Sequence, residues 1–168
     1  MKRIAVLIED HYEDLELHYP YYRLMEAGHQ VELIGSEKGK EYKSKHGYPM
    51  TSDYSSQQIS ASDYDAVVIP GGYSPDLMRR CKATVDFVRE MDSQGKTVAA
   101  ICHGPWIMAS ACRIKGKTLT SFFSIKDDLI NAGAVYVDKE VVVSDNLITS
   151  RTPKDITAFT TAILKALL

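Results

Sequence analysis

The sequence predicts an α/β domain in which a mostly parallel sheet lies between two layers of helices. Strand and helix patterns alternate along the chain, and glycines follow the helix patterns as stop signals. The strand patterns are short continuous apolar runs, such as RIAVLI at 3–8, which is typical of strands buried on both faces. Right-handed crossovers between such elements give a doubly wound three-layer sandwich.

The first two thirds of the chain supply four strand patterns with helices between them. The strands are predicted at 3–8, 30–35, 64–72 and 96–102, and the helices at 15–27, 75–94 and 104–112. Pro20 must lie in the first turn of its helix or kink it, because proline donates no amide hydrogen bond. Residues 36–50 are polar and contain two glycines, which predicts a small hairpin.

The last third alternates less regularly. We expect a short strand at 116–121, a helix at 124–133, and three short strands at 134–138, 140–145 and 146–150. The pair Asp145-Asn146 predicts a tight turn. Residues 153–168 begin with a proline and form an amphipathic helix. No repeat or linker interrupts the pattern, so residues 1–168 are predicted to form a single domain.

Charge and composition exclude several classes of partner. The formal net charge is −2 and no run of Lys or Arg is present, so neither nucleic acid nor an anionic membrane is expected as a partner. The apolar run before Glu9, IAVLI, has only five residues, too few for a signal-peptide core or a membrane span. We therefore expect a cytoplasmic protein.

Cysteine and histidine spacing argues against disulfides and metals. The three cysteines, Cys81, Cys102 and Cys112, form no CxxC pair, which fits a reducing compartment. The histidines show no metal-ligand spacing, so no metal site and no cofactor is expected. Cys81, which follows two arginines, is predicted to be a surface thiol, and Cys112 a buried, inert one.

Three chemically distinctive segments follow predicted strands. The acidic segment EDHYEDLE (9–16) follows the first strand, Gly71-Gly72 the third, and Cys102-His103 the fourth. In an open parallel sheet the ligand crevice lies outside the carboxyl ends of the strands. We therefore expect a thiol, a carboxylate and a backbone amide next to glycine to meet at one edge of the sheet.

The segment Ala100-Ile101-Cys102-His103-Gly104 has the form of a nucleophile elbow, with small residues on both sides of the turn. The following helix N-terminus should lower the pKa of Cys102. The amides of His103 and Gly72 could stabilise an oxyanion. A nearby carboxyl group helps only if it stays protonated and donates to the thiolate.

A purely structural interpretation is also possible. In it, Cys102 is a small core residue, the acids are a solvated helix start and the glycines form an ordinary turn.

The segment AAICHGPW resembles the elbow of the ThiJ/PfpI superfamily, whose motif reads A-I-C-H-G-P. Five further segments resemble the PfpI-type intracellular proteases in the same order: YEDLELHYPYYRLMEAGHQV, KHGYPM, DAVVIPGG, IKDDLINAGA and SRTPKD. The resemblance covers essentially the whole chain and includes the proline at position 20. It implies a flavodoxin-like sandwich, which agrees with the fold class above.

The resemblance also implies roles for individual residues. Cys102 matches the nucleophile, Glu13 the glutamate that hydrogen-bonds the thiol, and His103 the histidine of a triad. The amides of Gly72 and His103 match the oxyanion hole. The third triad member in the family is a glutamate from the neighbouring subunit, and Asp76, one methylene shorter, stands at that position. The family pattern further implies a homo-oligomer, either a dimer or a hexamer of dimers.

These residues support more than one function. Members of the superfamily are described as intracellular cysteine peptidases, glutathione-independent glyoxalases and deglycases, all of which add a thiolate to a carbonyl carbon. Because aspartate at position 76 is one methylene shorter than glutamate, it should orient His103 poorly, and peptide cleavage needs a well-oriented histidine. We therefore favour a small reactive carbonyl over a peptide as the substrate. The alternative is a redox-sensing or chaperone-like stress protein that uses an oxidisable Cys102. A weaker alternative is a degenerate amidotransferase-like domain, since the distant His-x-Glu pair of that class is missing.

Overall fold

The computed structural model describes residues 1–168 and contains eleven strands and six helices. The strands, numbered in chain order, are β1 (Arg3–Leu7), β2 (Gln30–Gly35), β3 (Glu41–Lys43), β4 (Pro49–Thr51), β5 (Tyr54–Ser55), β6 (Ala66–Ile69), β7 (Thr97–Ile101), β8 (Thr118–Leu119), β9 (Val135–Tyr136), β10 (Val141–Ser144) and β11 (Leu147–Ser150). The helices are α1 (Asp14–Glu26), α2 (Ser74–Arg80), α3 (Lys82–Ser93), α4 (Pro105–Ala111), α5 (Lys126–Asn131) and α6 (Ile156–Ala166).

Seven strands form the central sheet in the order β10-β11-β7-β6-β1-β2-β5. Every neighbouring pair is parallel except the hairpin β10-β11, which turns at Asp145-Asn146. The predicted α/β class with a mostly parallel sheet is therefore confirmed. The hairpin predicted at 36–50 is also present, as the antiparallel pair β3-β4, and β8 pairs with β9 in a separate small sheet.

Helices cover both faces of the sheet, and each face has its own apolar core. On one face, Leu17 of α1 and Phe159 of α6 pack in the same cluster as Val6 of β1. On the other face, a second cluster joins α3, α4 and α5 to the alternate side chains of the same strands. This division follows from the period of two in a strand, which sends successive side chains to opposite faces. The result is the flavodoxin-like three-layer sandwich.

One helix differs from the sequence expectation, and a second shows which of the two expected positions Pro20 takes. The helix predicted at 75–94 is interrupted at Cys81, whose backbone is extended with φ −93° and ψ 107°. The interruption separates α2, which packs on α4, from α3, which packs on both α4 and the sheet. Pro20 lies inside α1 rather than in its first turn, and the helix continues past it. Apolar periodicity does not register a break of one residue, because the pattern resumes in phase soon afterwards.

The topology brings the loops after β1, β6 and β7 to one edge of the sheet. The chain runs from β1 outward to β2 and later returns to β6 on the opposite side of β1. This reversal of strand order is the switch point at which open α/β sheets bind ligands. None of the helices has both the length and the hydropathy needed to cross a lipid bilayer.

Candidate active site

Cys102 lies at a strained corner between β7 and α4. Its φ is +62°, a left-handed conformation that costs a residue with a side chain on the order of 1–3 kcal/mol. Two long-range backbone hydrogen bonds hold the corner: the Cys102 amide donates to Ser150 O at 3.1 Å, and the Phe122 amide donates to Cys102 O at 2.9 Å. The residue is 8% exposed. The structure thus contains the nucleophile elbow that the sequence predicts.

The loop after β6 approaches the elbow closely because it consists of glycines. A Cβ atom on Gly71 would lie 2.8 Å from the Cβ of Cys102 and 2.6 Å from Glu16 Oε2. Gly72 has a φ of +71°. The backbone amides of Gly72 and His103 lie close enough to the sulfur of Cys102 to lower the pKa of its thiol. These are the two donors that the sequence analysis assigns to an oxyanion hole, and that role stays a prediction.

The carboxyl group beside the thiol belongs to Glu16, which corrects the expectation that Glu13 hydrogen-bonds Cys102. Glu16 is fully buried, its Oε2 accepts a 2.7 Å hydrogen bond from the Gly71 amide, and its carboxyl interacts with the thiol. Glu13 is the N-cap of α1, where its Oε2 accepts a 3.0 Å hydrogen bond from the Glu16 amide. Because capping occupies the Glu13 side chain, the carboxyl one turn further on is the one that reaches the sulfur. Glu13 still lines the same cavity.

The thiol and the carboxyl group perturb each other's ionisation. Burial, with a smaller contribution from the negative charge of Glu13, raises the pKa of Glu16 from 4.5 to about 7. Burial first, and then the charge of Glu16, raise the pKa of the Cys102 thiol, against the lowering effect of the His103 and Gly72 amides. The expected lowering of the Cys102 pKa is therefore wrong, because desolvation, with the added negative charge of Glu16, outweighs the effect of the amides. The two groups titrate as a pair.

His103 is in contact with the thiol and stays neutral at pH 7. Its Nδ1 lies 3.3 Å from the Cys102 sulfur, and its Nε2 lies 3.2 Å from Ser124 Oγ. The ring stacks on Phe122, with centroids 5.1 Å apart, and meets the edge of Trp106 at 5.0 Å. Burial lowers the pKa of His103. The imidazole is thus fixed in place by aromatic packing and by a partner at each nitrogen.

Asp76 does not contact His103 within one chain. It lies in the first turn of α2, and its Oδ2 accepts hydrogen bonds from Nη2 and Nε of Arg80 at 2.6 and 3.0 Å. These hydrogen bonds hold the pKa of Asp76 below its usual value. A contribution of Asp76 to the site of a neighbouring subunit stays a prediction.

The elbow opens into a cavity of about 640 Å³. Its apolar wall and its polar rim are formed by different sets of residues: Tyr73, Trp106, Phe122 and Pro153 supply the wall, and His11, Glu13 and Lys45 the rim. No group of three or more His, Cys, Asp or Glu side chains is arranged to hold a metal ion. The cavity therefore offers a thiol, a carboxyl group and an imidazole as its chemically active groups.

Two residues of the site were missed from the sequence. Glu16 lies at i, i+4, i+8 spacing with the buried residues Pro20 and Leu24, so an acid on the core face of α1 was a usable signal. Ser124 carried no such signal, because its contact with His103 joins segments far apart in the chain.

A strained cysteine at the corner between a central strand and a helix, with two backbone amides near its sulfur, defines an α/β protein of the cysteine-elbow type. The chain belongs to the DJ-1/PfpI family, whose model matches residues 2–166. The resemblance to the ThiJ/PfpI proteins is thereby confirmed.

Similar proteins cover nearly the whole chain. YraA of Bacillus subtilis, provisionally named a cysteine protease, is 48% identical over 94% of this chain and 94% of its own. An Escherichia coli protein named "Protein/nucleic acid deglycase 2" is 44% identical over 99% of this chain and 98% of its own. A solved two-domain protein from Anabaena variabilis, with DJ-1/ThiJ/PfpI-like and ferritin-like domains, matches with a TM-score of 0.97 and 47% identity. That match covers 99% of this chain and 48% of the two-domain chain.

Proposed function

We propose that this protein is an enzyme that uses Cys102 to attack the carbonyl carbon of small reactive carbonyls and of their early adducts with amines. The observation that carries the proposal is the elbow itself, in which two amides and one buried carboxyl group converge on a single sulfur. This arrangement supplies a nucleophile, donors for an oxyanion and a group that exchanges a proton. The names of the similar proteins, deglycase among them, agree with this chemistry.

The reaction with methylglyoxal illustrates the role of each group. The sulfur adds to the aldehyde carbon, the electron pair of the C=O bond moves to oxygen, and the amides of Gly72 and His103 stabilise that oxyanion. Glu16 gives its proton to the oxyanion and then, as a carboxylate, moves the proton from the aldehyde carbon to the neighbouring carbonyl carbon. The hydroxyl proton passes to the second oxygen, which leaves a lactoyl thioester on Cys102. Water cleaves the thioester, releases lactate and restores the thiol. The net reaction adds one water and needs no cofactor.

The cavity also accommodates amine adducts of dicarbonyls. A volume of about 640 Å³ far exceeds a three-carbon compound and lies within the usual range for drug-sized ligands. Tyr73, Trp106 and Phe122 give this space an apolar wall suited to the body of an adduct. Deglycation uses the same first step, addition of the Cys102 sulfur to a carbonyl carbon.

A single chain supplies fewer of the groups that a cysteine peptidase needs than of those that carbonyl addition needs. Cleaving an amide requires an acid that protonates the amine leaving group, which in a cysteine peptidase is an imidazolium oriented by a third group. Burial keeps His103 neutral, and its partner in this chain is the Ser124 hydroxyl rather than a carboxylate. A contribution from Asp76 of a neighbouring subunit is the added element that a peptidase needs.

A second candidate function is peroxide sensing through Cys102. Oε1 of Glu16 is buried without a hydrogen-bond partner, and the carboxyl group that carries it interacts with the Cys102 thiol. This oxygen could hydrogen-bond an oxygen atom added to the sulfur. Two equivalents of peroxide would take the thiol through sulfenic to sulfinic acid and release two waters.

One experiment distinguishes these functions. Methylglyoxal, a glycated model amine and a fluorogenic peptide are each incubated with the parent protein, the Cys102→Ser variant and the Cys81→Ser control. We expect turnover of the first two substrates by the parent and the control, and none by Cys102→Ser. A parent that turns over no carbonyl compound, but gains two oxygens on Cys102 in dilute peroxide, would support the sensing function instead.

A further inference from the structure

The His103 imidazole links the reactive thiol to the surface of the protein. One ring nitrogen lies 3.3 Å from the Cys102 sulfur and the other lies 3.2 Å from Ser124 Oγ. Ser124 is exposed, whereas Cys102 is buried and His103 only partly accessible. The three side chains therefore form a continuous hydrogen-bonded path from the buried sulfur to solvent.

A hydroxyl is suited to this place in a way that a carboxylate is not. The neutral imidazole has a proton on one nitrogen and a lone pair on the other, and the two can exchange. A serine hydroxyl both donates and accepts, so it can serve either tautomer, while a carboxylate only accepts and fixes one of them. Because a ring nitrogen has one in-plane hydrogen-bonding direction, Ser124 and a carboxylate compete for Nε2.

The groups around His103 leave the imidazole without a charged partner. Its neighbours in direct contact are the thiol, the hydroxyl and the rings of Phe122 and Trp106. The titratable groups across the cavity are His11, Glu13, Glu16 and Lys45, and none of them forms an ion pair with His103. Asp76 is paired with Arg80.

Because Glu16 must keep its own proton, the thiol proton of Cys102 needs a separate path to solvent. The Glu16 carboxyl group stabilises a thiolate as a donor only while it keeps its own proton, so the thiol proton must leave in another direction. Glu16 is fully buried and hydrogen-bonded to the Gly71 amide. His103 is the other polar side chain in contact with the sulfur.

We propose that Ser124 is a positioning residue for His103, whose hydroxyl holds the neutral imidazole and relays the thiol proton of Cys102 to solvent. The thiol proton moves to Nδ1, the proton on Nε2 moves to Oγ of Ser124, and the hydroxyl proton passes to water. One thiol and one water thus become a thiolate and a hydronium ion. The proposal concerns the ionisation of Cys102 and holds whichever carbonyl compound the thiolate attacks.

Alkylation of Cys102 by iodoacetamide tests the relay without any turnover. The rate is followed by peptide mapping from pH 5.5 to 9 in the parent and in Ser124→Ala, Ser124→Thr, Asp76→Ala and the exposed control Ser93→Ala. We expect Ser124→Ala to slow alkylation about fivefold near pH 7, the effect of one lost hydrogen bond, and to shift the pH profile upward. Ser124→Thr, which keeps the hydroxyl, should restore the parent profile. Ser93→Ala should leave it unchanged, and Asp76→Ala should slow alkylation less than Ser124→Ala does.

A second readout separates positioning from general damage to the fold. The ¹⁵N shifts of the His103 ring should change in Ser124→Ala while its circular dichroism and melting temperature match the parent. A Ser124→Ala profile that superimposes on that of the parent would overturn the proposal. So would an equal loss in Asp76→Ala, since His103 would then depend on a carboxylate. The alkylation assay does not depend on dicarbonyl turnover. The relay can therefore be disproved without disproving the proposed function, and the reverse also holds.

Discussion

The amide of Gly71 donates a 2.7 Å hydrogen bond to Glu16 Oε2, and this contact joins the loop after β6 to the first turn of α1. The bond fixes Oε2 of a buried carboxyl group that also interacts with the Cys102 thiol, while Oε1 is buried without a hydrogen-bond partner. The Glu16 carboxyl group is therefore placed to exchange a proton with the Cys102 thiol or with a bound substrate, and not with bulk water.

Glu16 and Glu13 should differ in their effect on reactivity. In Glu16→Gln the negative charge beside the sulfur is lost and an amide donor is gained, so alkylation of Cys102 at pH 7 should equal or exceed that of the parent. Dicarbonyl turnover should fall by about a hundredfold or more, because proton transfer is lost. In the matched variant Glu13→Gln, most of both activities should remain. Equal losses of turnover in the two variants would contradict the assignment of proton exchange to Glu16.

The ionisation of Glu16 should also be visible in stability. The pKa of Glu16 is about 7 in the folded protein and near 4.5 in the unfolded chain, so the unfolded state releases its proton first as the pH rises. Folding stability from this group is therefore complete below pH 4.5 and is lost as the pH rises through 7. The difference corresponds to about 3 kcal/mol.

Urea unfolding at pH 5 and pH 8 measures this effect. The free energy of unfolding of the parent should fall between pH 5 and pH 8 by more than that of Glu16→Gln, which has no proton to lose at this position. Glu16→Gln should therefore be the more stable protein at pH 8. Glu26→Gln, at the exposed end of α1, serves as the control and should keep the pH dependence of the parent. A parallel pH dependence in Glu16→Gln and the parent would contradict the raised pKa.

The close approach of the glycine loop can be tested with two glycines of similar conformation. Gly72 and Gly95 have φ values of +71° and +68°. A Cβ on Gly72 would lie 2.3 Å from His11 O, whereas a Cβ on Gly95 meets nothing within 4 Å. Gly95→Ala should cost only the strain of a left-handed residue, about 1–2 kcal/mol. Gly72→Ala should cost clearly more and also slow the reaction of Cys102, since the amide on the sulfur must move. Thermal melting measures the loss of stability, and the alkylation rate measures the reactivity of Cys102. Equal losses of stability at the two positions would contradict the close approach at Gly72.

Asp76 allows the peptidase question to be tested. A glutamate carboxylate reaches about 1.5 Å further than that of aspartate, so Asp76→Glu should raise the weak peptidase activity if a neighbouring subunit completes the site. Dicarbonyl turnover, which depends on Cys102 and Glu16, should change little in the same preparation. Both activities are measured side by side, with Asp86→Glu on α3 as the control. A change of the same size in both activities would place Asp76 in the machinery common to the two reactions.

Much of this fold could be predicted because its signals are local. Buried strands read as short apolar runs, and helices end at Gly28 and Gly95, where only a flexible residue fits easily. The two residues of β5 are too few for a period to show. The break at Cys81 depends on how α2 and α3 pack against other elements, which no local window contains.

The candidate site could be predicted in part. The elbow at Cys102 and the glycine pair follow from their places at strand ends. The choice between Glu13 and Glu16 depends on which acid caps α1, because Glu13 lies before the helix and caps it, whereas Glu16 lies on its buried face. Ser124 meets His103 only through tertiary folding, so no local pattern could have shown it.

The backbone of Cys102 is bound on one side to Ser150 and on the other to Phe122, both of which come later in the chain. During synthesis the elbow therefore lacks one or both of these anchors until the segment after α4 has emerged and β11 has docked beside β7. A nascent chain that ends before residue 122 lacks both anchors, and one that ends between residues 122 and 150 lacks the anchor at Ser150. The reactive corner is thus assembled late, when the sheet that shields it from other thiols is nearly complete.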